Sequence, residues 1–404
     1  MARASMETGR LPAVLLGGLP LVRSLGIAGI PVLVASPRRR SPGMASRYCS
    51  GRLALPPLSD REGVVAALVR AGRELARRHG RRPPLLYEND DLLALVQDCR
   101  RALEPHFALL LNEPQLAEAM LDKEKFQGVA ETRGLPVPRR IEWRALESER
   151  RPVLAKPKSK DTWDSNVLHL ELFGGAGKGL VFRNGLEAKA HPNVRRFAER
   201  LTFQEYVAGD DSAIWSFHGF AAPGGELLEW FIGRKIRTYP ALTGDSAYLR
   251  VAYNQQLAAL GRDICERLAL AGIFKMDFKQ CEATGRFYLL EINARYNLWH
   301  ILGARAGVNL PRVAYDYFVY GKRPPHVEAD PDFRWLSLRF DWRAYRELRA
   351  AGRIGFARWL ATLAEGRKVY ELFSWTDPMP FVETWHARIR GALGRRMRRL
   401  LARV

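Results

Sequence analysis

Short apolar runs alternate with helical patterns through the first hundred residues. The runs at 13–16, 31–35 and 84–87 predict buried strands, whereas 19–28 and 60–79 carry apolar residues at helical spacing. Alternation of this kind predicts a parallel sheet that is covered by helices on both faces, because parallel strands require crossover connections. The chain therefore begins as an α/β protein.

Two features at the ends of these strands bear on ligands. The turn that starts at Gly17 reads Gly-Gly-Leu-Pro and lacks the GxGxxG spacing, which argues against a dinucleotide site. Asp90 and Asp91 follow the run at 84–87, at the sheet edge where open α/β folds bind ligands. The alternative for these two aspartates is a helix cap with first-turn charge.

The composition is that of a globular chain of two or three domains. Of 404 residues, 47% are hydrophobic and 26% are charged, which excludes a disordered or collagen-like protein. Four scattered cysteines form no CxxC pair, so a disulfide scaffold or zinc module is excluded and a reducing cytoplasm is expected. Arg23 and several Gly and Pro residues divide the apolar stretch 11–35, which favours a buried strand over a signal peptide or membrane span.

The chain is strongly basic, with 64 Lys and Arg against 43 Asp and Glu and a net charge of +21. Arginine supplies 52 of these cations, spread along the chain without an interleaved aromatic stripe, so no specific nucleic-acid role is predicted. Such a charge favours anionic partners, including nucleotides and acidic lipid surfaces. Lysine is rare and none precedes Lys123, so each lysine marks a position where arginine is not used.

The pattern changes at residue 113 to helices followed by longer alternating strands. Beyond residue 330 the chain is rich in Trp, Arg and Leu and is predicted to be helical. The predicted antiparallel strands are 201–207, 212–221, 226–237, 273–282 and 286–292.

The strongest chemical signal is a predicted hairpin with acids inside apolar strands. Asp277 lies in one strand and Glu291 in the next, so the two carboxylates are expected across from each other. Asn293 and Arg295 continue the two-residue period and point to the same side. Three oxygen-bearing side chains suit Mg²⁺, and the arginine could meet a phosphate oxygen. A hairpin with solvated polar faces would not explain acids in such apolar surroundings.

Four further segments precede this hairpin in a fixed order. The set resembles the ATP-grasp superfamily, specifically its carboxylate–amine ligase branch, over about 113–325. The segments are Leu-Asp-Lys-Glu-Lys-Phe at 121–126, Gly-Leu-Pro-Val-Pro at 134–138, Val-Leu-Ala-Lys-Pro at 153–157, and Phe-Gln-Glu-Tyr-Val at 203–207 with Gly-Asp following at 209.

The resemblance implies a combined α/β and α+β architecture. Residues 1–112 would form a Rossmann-like domain in front of an ATP-grasp domain at 113–325. The latter would consist of two α+β subdomains, 113–200 and 201–325, that clamp a nucleotide. Residues 326–404 would form a helical, basic C-terminal extension.

The resemblance also implies roles for individual residues. Two lysines would contact the nucleotide phosphates, a hinge strand would read the adenine edge, and an aspartate would lie near the ribose or form an ordinary turn. Asp277, Glu291 and Asn293 would hold magnesium, with Arg295 stabilising the transferring phosphoryl group. The nucleotide residues, in chain order, are Lys123, Lys156, Glu205, Tyr206, Val207 and Asp210.

The glycine-rich segment 174–179, which contains Lys178, is similar to the loop that ATP-grasp enzymes close over the phosphates. It is not a Walker P-loop, because Gly179 stands where Ser or Thr should follow the lysine. About seventeen residues separate Lys156 from this segment, more than in many members of the superfamily, and a plain hairpin turn is the alternative.

Cations and aromatic residues near the predicted cleft have two interpretations each. Lys235 and Arg237 are expected to share one strand face, opposite to Arg234, and either bind a substrate carboxylate or acyl phosphate or lie on a solvated edge. Trp299 and His300 either line the substrate pocket or pack in the core.

The last segment, 381–404, predicts an amphipathic basic helix. It contains seven arginines and one acid, with apolar residues at four-residue steps. Such a helix docks on its own domain, rests on an anionic membrane surface or binds an acidic partner. The apolar residues are Phe381, Trp385, Ile389, Leu393 and Met397.

Together these features predict a cytoplasmic, ATP- and Mg²⁺-dependent ligase. It would join a small carboxylate to an amine through an acyl phosphate, releasing ADP and phosphate, and could act as a homodimer. The alternatives are another ATP-grasp reaction, such as carboxylation or phosphorylation, and a non-catalytic nucleotide-binding protein.

Overall fold

The computed structural model describes residues 9–158, 170–172, 179–241 and 244–401, with side chains up to residue 390. Within these residues the strands form two four-stranded sheets and one seven-stranded sheet.

The first sheet is parallel throughout, with strand order β3-β2-β1-β4, as the alternation of strands and helices predicts. Asp60 caps the longest helix of this region by accepting a hydrogen bond from the Gly63 N–H at 2.9 Å. Gly80 ends the same helix in the left-handed region, with φ 69°. The elements are β1 Ala13–Leu16, α1 Leu19–Gly26, β2 Val32–Ser36, α2 Pro42–Ala45, β3 Cys49–Ala54, α3 Arg61–His79, β4 Leu85–Tyr87, α4 Asp90–Asp98 and α5 Arg100–Leu103.

The second sheet is small and antiparallel, with order β5-β8-β6-β7. Its apolar face packs on a short 3₁₀ segment, Trp143–Ser148, and on two short helices. Two longer helices precede it. The elements are α6 Pro114–Leu121, α7 Lys123–Thr132, β5 Arg140–Ile141, β6 Val153–Pro157, β7 Leu180–Phe182, α8 Gly185–Ala190, α9 Pro192–Arg196 and β8 Leu201–Glu205.

The third sheet has seven strands in the order β13-β12-β9-β10-β11-β14-β15. The strands from β13 to β11 in this order are antiparallel neighbours. Four of them coincide with strands predicted from the alternating sequence, whereas β11 was not predicted. The elements are β9 Ile214–Ala222, β10 Glu226–Tyr239, β11 Asp245–Val251, α10 Gln255–Arg267, β12 Gly272–Gln280, β13 Phe287–Asn293, α11 Trp299–Arg305 and α12 Leu310–Tyr320.

The C-terminal region is not purely helical, contrary to the prediction. Two of its strands extend the seven-stranded sheet, the first antiparallel to β11 and the second parallel to the first. Both have only four residues, which is too short for a clear alternating pattern. No helix in the described part of the chain is long and apolar enough to cross a membrane. The elements are β14 Phe333–Leu336, α13 Leu338–Ala350, α14 Phe356–Ala364, β15 Arg367–Tyr370 and α15 Met379–Leu401.

A buried ion pair ties this region to the first sheet. Arg23 of α1 lies 2.9 Å from the Asp377 carboxylate through its Nε and donates to the Leu372 carbonyl at 2.8 Å. Ser46, next to α2, donates to the same carboxylate at 2.8 Å. Both charged side chains are almost fully buried. The segment before α15 is therefore held against the first sheet.

Candidate active site

The two predicted carboxylates face each other on neighbouring strands. Asp277 of β12 is in register with Glu291 of β13 and, on its other side, with Ser216 of β9. Directly opposed residues in an antiparallel sheet share a face, so these three side chains lie together. Asp277 is buried and accepts a hydrogen bond from the Ser216 hydroxyl, whereas Glu291 is exposed. The expected geometry of the hairpin is thus confirmed.

Lys275 is a member of this cluster that the sequence analysis did not select. Its Nζ lies 2.6 Å from Oδ2 of Asp277. Burial alone would raise the pKa of Asp277, but the ammonium groups of Lys275 and Lys235 hold that pKa below its ordinary value. The available signal was its position two residues before Asp277 in the same strand, combined with the rarity of lysine in the chain.

A polar chain leads from Glu291 to the first sheet. The Asn293 amide donates to Glu291 at 3.0 Å, and Arg295 donates to Asn293 Oδ1 at 3.2 Å. Arg295 also pairs with Asp90, where its Nη2 lies 3.2 Å from Oδ2. The cap of α4 is Asn89, not Asp90, because the Asn89 side chain accepts from the Leu92 N–H. Asp90 supplies first-turn charge and fixes Arg295 beside the carboxylates.

Of the predicted lysines, Lys156 of the small sheet lies near Glu291, and Lys123 lies near Lys156. Burial and the nearby Lys123 charge lower the pKa of Lys156 to about 8, while Glu291 acts in the opposite direction. Lys156 therefore lies within electrostatic reach of both groups. Lys123 is the first residue of α7, whose cap Asp122 accepts from two N–H groups at 2.9 and 3.0 Å. That cap places Lys123 next to β6, where its N–H donates to the Lys158 carbonyl.

The donor set fits a magnesium ion that is completed by phosphate. Asp277, Glu291 and Asn293 offer hard oxygen atoms on one side of the hairpin. The described residues contain no group of three or more Asp, Glu, His and Cys side chains that could hold a metal unaided. Mg²⁺ commonly takes one or two carboxylates and fills its remaining positions with substrate phosphate and water. A nucleotide would thus be required to complete the site.

The predicted hinge segment is only partly open to a ligand. The N–H groups of Glu205 and Tyr206 donate to the carbonyls of Arg139 and Pro152, both at 2.9 Å. An adenine would therefore be read by other backbone groups, such as those of Val207, which is buried.

Asp210 forms the ordinary turn that was the alternative interpretation. Its Oδ1 accepts hydrogen bonds from the Ser212 N–H and hydroxyl, both at 2.7 Å. Lys279, which the sequence analysis also missed, lies beside this turn and donates to the Tyr206 hydroxyl at 3.2 Å. Burial lowers the pKa of Lys279, and the acids Asp211, Glu282 and Asp210 oppose that effect. A cation therefore lies beside Tyr206, one of the residues to which the resemblance assigned the adenine edge.

The expectation that Lys235 and Arg237 share a face is wrong. They oppose Leu249 and Tyr248, two successive residues of β11, because a bulge interrupts β10 between them. Lys235 remains on the side of Asp277. Arg237 points the other way, where it is buried and forms a bidentate pair with Asp341 at 2.6 and 3.1 Å. The structure does not bring Arg237 to the cluster.

Arg234, Trp299 and His300 pack within the fold. Arg234 donates to the Ser212 carbonyl and lies 4.8 Å from the Trp215 ring centroid. Trp299 is 2% exposed and packs over Gly233, where a Cβ would lie 2.1 Å from its ring. Burial lowers the pKa of His300 to about 3, so that ring is neutral and packed.

The glycine-rich segment and Lys178 lie outside the described residues. The strands on either side of it are antiparallel neighbours, with Ala155 of β6 opposite Leu180 of β7.

A cavity of about 440 Å³ opens at the carboxyl ends of the parallel strands. Gly18 and Glu88 lie at its base, where the Gly18 N–H donates to the Glu88 carboxylate. Arg38 and, from the C-terminal region, Glu371 also line it. Burial raises the pKa of Glu88, against the effect of the Gly18 N–H and Arg295. Glu88 directly precedes Asn89 and Asp90, so the cavity adjoins the polar chain described above.

The chain has structural neighbours among proteins of known structure. N5-carboxyaminoimidazole synthetase from Staphylococcus aureus superposes with a TM-score of 0.57 at 13% identity, covering 81% of this chain and 82% of that one. L-amino acid ligase from Bacillus licheniformis gives 0.55 at 13% identity, covering 78% and 77%. The chain has the ATP-grasp fold. The fold that the sequence motifs predicted is thereby confirmed.

Other comparisons add to this ATP-grasp assignment. The biotin carboxylase domain of Hydrogenobacter thermophilus 2-oxoglutarate carboxylase, solved with MgADP and bicarbonate, has a TM-score of 0.54 at 14% identity, covering 79% of this chain and 71% of that one. In sequence, D-aspartate ligase of Enterococcus faecium (strain Aus0004) is 22% identical over 290 residues, which is 68% of this chain and 67% of that protein. No model of a protein family matches the chain.

Proposed function

We propose that this ATP-grasp protein is an ATP-dependent carboxylate–amine ligase that forms an amide through an acyl phosphate. The observation that carries the proposal is the in-register pair of Asp277 and Glu291, approached by Lys156 from the opposite sheet. This proximity supports a site in which carboxylates would hold a metal and lysines would hold phosphates. The ATP-grasp neighbours include ligases and a structure that contains MgADP, which supports the same chemistry.

In this proposal each part of the chain has a separate task. Residues 1–112 precede the clamp and contribute Asp90 and Glu88, and 113–200 supplies the two lysines. Residues 201–325 supply the carboxylates, and 326–404 forms an extension that borders the substrate cavity.

Magnesium would be held by Asp277, Glu291 and Asn293, where it would neutralise phosphate charge. Lys123 and Lys156 would hold the phosphates as compact cations, with Lys178 as a further candidate. Arg295 is fixed by Asp90 and would stabilise the phosphoryl group in transfer. Lys275 and Lys235 add positive charge beside Asp277, where substrate carboxylate and phosphate oxygens would meet. Arg237 is not among these proposed site residues, because its guanidinium is paired with Asp341.

The reaction would proceed in two steps. An oxygen of the substrate carboxylate attacks the γ-phosphorus of ATP, the bond to ADP breaks, and an acyl phosphate forms. The amine nitrogen then attacks the acyl carbon, phosphate leaves, and the nitrogen loses a proton. Phosphoryl transfer of this type depends on positioning and charge stabilisation, so no protein nucleophile is needed.

Amino acids are the first substrates to test. The sequence relative is a D-aspartate ligase, and one structural neighbour is an L-amino acid ligase. The cavity beside Glu88 is large enough for an amino acid or a somewhat larger group. A second candidate reaction is carboxylation, which the neighbour solved with bicarbonate favours.

The deciding experiment measures ADP release with Mg²⁺ and ATP across a crossed set of carboxylates and amines. The set includes D- and L-amino acids, dipeptides and bicarbonate. We expect one pair to stimulate ADP release and to yield an amide detectable by mass spectrometry. Stimulation by bicarbonate alone would favour carboxylation, and tight Mg·ATP binding with no stimulation by any pair would contradict both reactions.

The lowered pKa of Lys156 predicts a pH dependence for ATP use. This lysine should lose its proton near pH 8 in the free enzyme, whereas an ordinary lysine stays charged to about pH 10. The kcat/KM for ATP should therefore fall as pH rises through about 8, because the ammonium that holds phosphate becomes neutral. Measurement between pH 6.5 and 10 checks this.

The matched control is Lys156→Arg, which stays charged throughout that range. Its profile should lose the fall near pH 8 even if its absolute rate is lower. Identical profiles for the two proteins would assign the titration to another group.

A further inference from the structure

The last helix carries an apolar stripe that the chain leaves uncovered. Met379, Val382, Trp385 and Ile389 are 51%, 50%, 49% and 51% exposed and recur at steps of three or four residues. Side chains with this spacing lie on one face of a helix. Trp375, four residues before Met379, is 87% exposed. Five large apolar side chains therefore face solvent at one end of the molecule.

The described part of the chain covers the beginning of α15. The Phe381 ring packs against Phe373, with ring centroids 5.6 Å apart, and the first turns contact α2. Residues 386–390 are all exposed. Docking on the same chain was one of the predicted alternatives. It accounts for the start of the helix and leaves the described remainder of the stripe uncovered.

Positive charge surrounds this stripe. Arg388 and Arg390 are exposed on α15, and the sequence from 391 onward adds five arginines and no acid. The loop before α2, on which α15 packs, contributes three consecutive exposed arginines at 38–40. Arg47, just after α2, is exposed as well and donates to the Thr376 carbonyl. The uncovered surface is thus aromatic, apolar and rimmed by arginine from two parts of the chain.

We propose that α15, together with Trp375, binds the surface of an anionic lipid bilayer. An amphipathic helix with a basic polar face lies in the plane of the interface, with its apolar stripe among the acyl chains and its cations at the headgroups. Tryptophan is favoured at that depth because its ring is apolar and its N–H is polar. Trp375 and Trp385 supply this residue type.

Charge also argues against a second copy of the chain as the occupant. Two α15 helices packed stripe to stripe would bring six arginines of one helix alongside six of the other. Like charges flanking a helix–helix seam oppose pairing, whereas anionic headgroups would neutralise them. The occupant that matches both the stripe and its rim is a lipid surface.

The test is sedimentation of the full-length chain with vesicles. One set is phosphatidylcholine alone and the other contains 30% phosphatidylglycerol. We expect at least tenfold tighter binding to the anionic set, with a blue shift of tryptophan emission as rings enter the interface. A Trp385→Glu, Ile389→Glu double variant should lose that binding at least tenfold, because it places acids on the stripe and leaves every arginine in place.

The matched control is Val181→Glu with Leu186→Glu, on the small sheet and α8. These residues are 45% and 46% exposed, so the control adds the same charge at similar exposure elsewhere. Circular dichroism verifies that both variants are folded. The inference does not depend on the proposed ligase activity, because the readout involves no nucleotide.

Three outcomes would overturn the proposal. Equal binding to both vesicle types would show that anionic headgroups do not determine the binding. Equal losses in the stripe variant and the control would show that the net charge of the whole protein, and not the stripe, governs binding. A dimer that dissociates in the stripe variant, with no vesicle binding by the unaltered chain, would identify a second copy as the occupant.

Discussion

Replacement of Glu291 by glutamine should abolish ADP production and leave the fold intact. The substitution preserves volume but removes the charge that faces Asp277 across the hairpin. A neutral amide oxygen binds Mg²⁺ more weakly than a carboxylate does, and loss of one preorganised electrostatic group in an active site typically costs about 10²–10³-fold in kcat. We expect a loss at the upper end of this range or beyond, measured as ADP release with the best substrate pair.

Stability should hardly change, because Glu291 is exposed and its described hydrogen bond is with Asn293, a neighbour on the same strand. Glu266→Gln is the matched control, since Glu266 is an exposed glutamate on α10 with no place in the proposed site. It should keep the original rate, and both variants should melt within about 2 °C of the unaltered protein. Turnover retained in Glu291→Gln would exclude Glu291 as a metal ligand.

Removal of the Asp341 carboxylate should lower the free energy of unfolding by about 3–5 kcal/mol. Asp341→Ala leaves the Arg237 guanidinium buried without its bidentate partner and deprives the Trp359 indole N–H of an acceptor at 2.8 Å. Both charged side chains are almost fully buried, so water cannot take the place of the carboxylate. Urea unfolding followed by circular dichroism measures the change.

The control for this prediction is a surface pair in the same chain. Arg312 lies 3.4 Å from Asp316 one helical turn away, and the arginine is 61% exposed. Asp316→Ala should therefore cost less than about 1 kcal/mol. Similar losses in the Asp341 and Asp316 variants would contradict the buried-pair interpretation.

A double replacement separates the structural from the catalytic role of Arg237. Arg237→Met with Asp341→Leu removes both buried charges at once and should recover most of the lost stability. If Arg237 acts only in packing, this stable variant should keep its ADP release. A stable but inactive double variant would indicate that Arg237 has a role in the active site.

Local sequence patterns predicted those parts of the molecule that depend on local regularity. The hairpin of Asp277 and Glu291 could be predicted because alternation fixes which side chains share a face and antiparallel strands need only a short turn. The spacing of apolar residues over 60–79 likewise predicted α3, which Asp60 caps in the structure. The short strands β14 and β15 could not be predicted, because four residues carry too little periodicity.

The errors at the site have different physical origins. A bulge in β10 turned Arg237 away from Lys235, and nothing in the sequence marks where one strand takes up an extra residue. The link between Arg295 and Asp90 joins residues 205 positions apart, so only the folded chain reveals it. Lys275 lies two residues before Asp277 in the sequence, but only the folded chain reveals the ion pair between its Nζ and that carboxylate.

The pair of Arg23 and Asp377 has a consequence for biosynthesis. The two residues are 354 positions apart, and the ribosome adds Arg23 to the chain long before Asp377. At about 5–20 residues per second, its partner follows roughly 20 to 70 s later. During that interval the nascent first sheet holds a guanidinium that it cannot bury without cost. The packing around Arg23 is therefore completed only after residue 377 has been synthesised, and a chain truncated before residue 377 would leave this buried guanidinium without its partner.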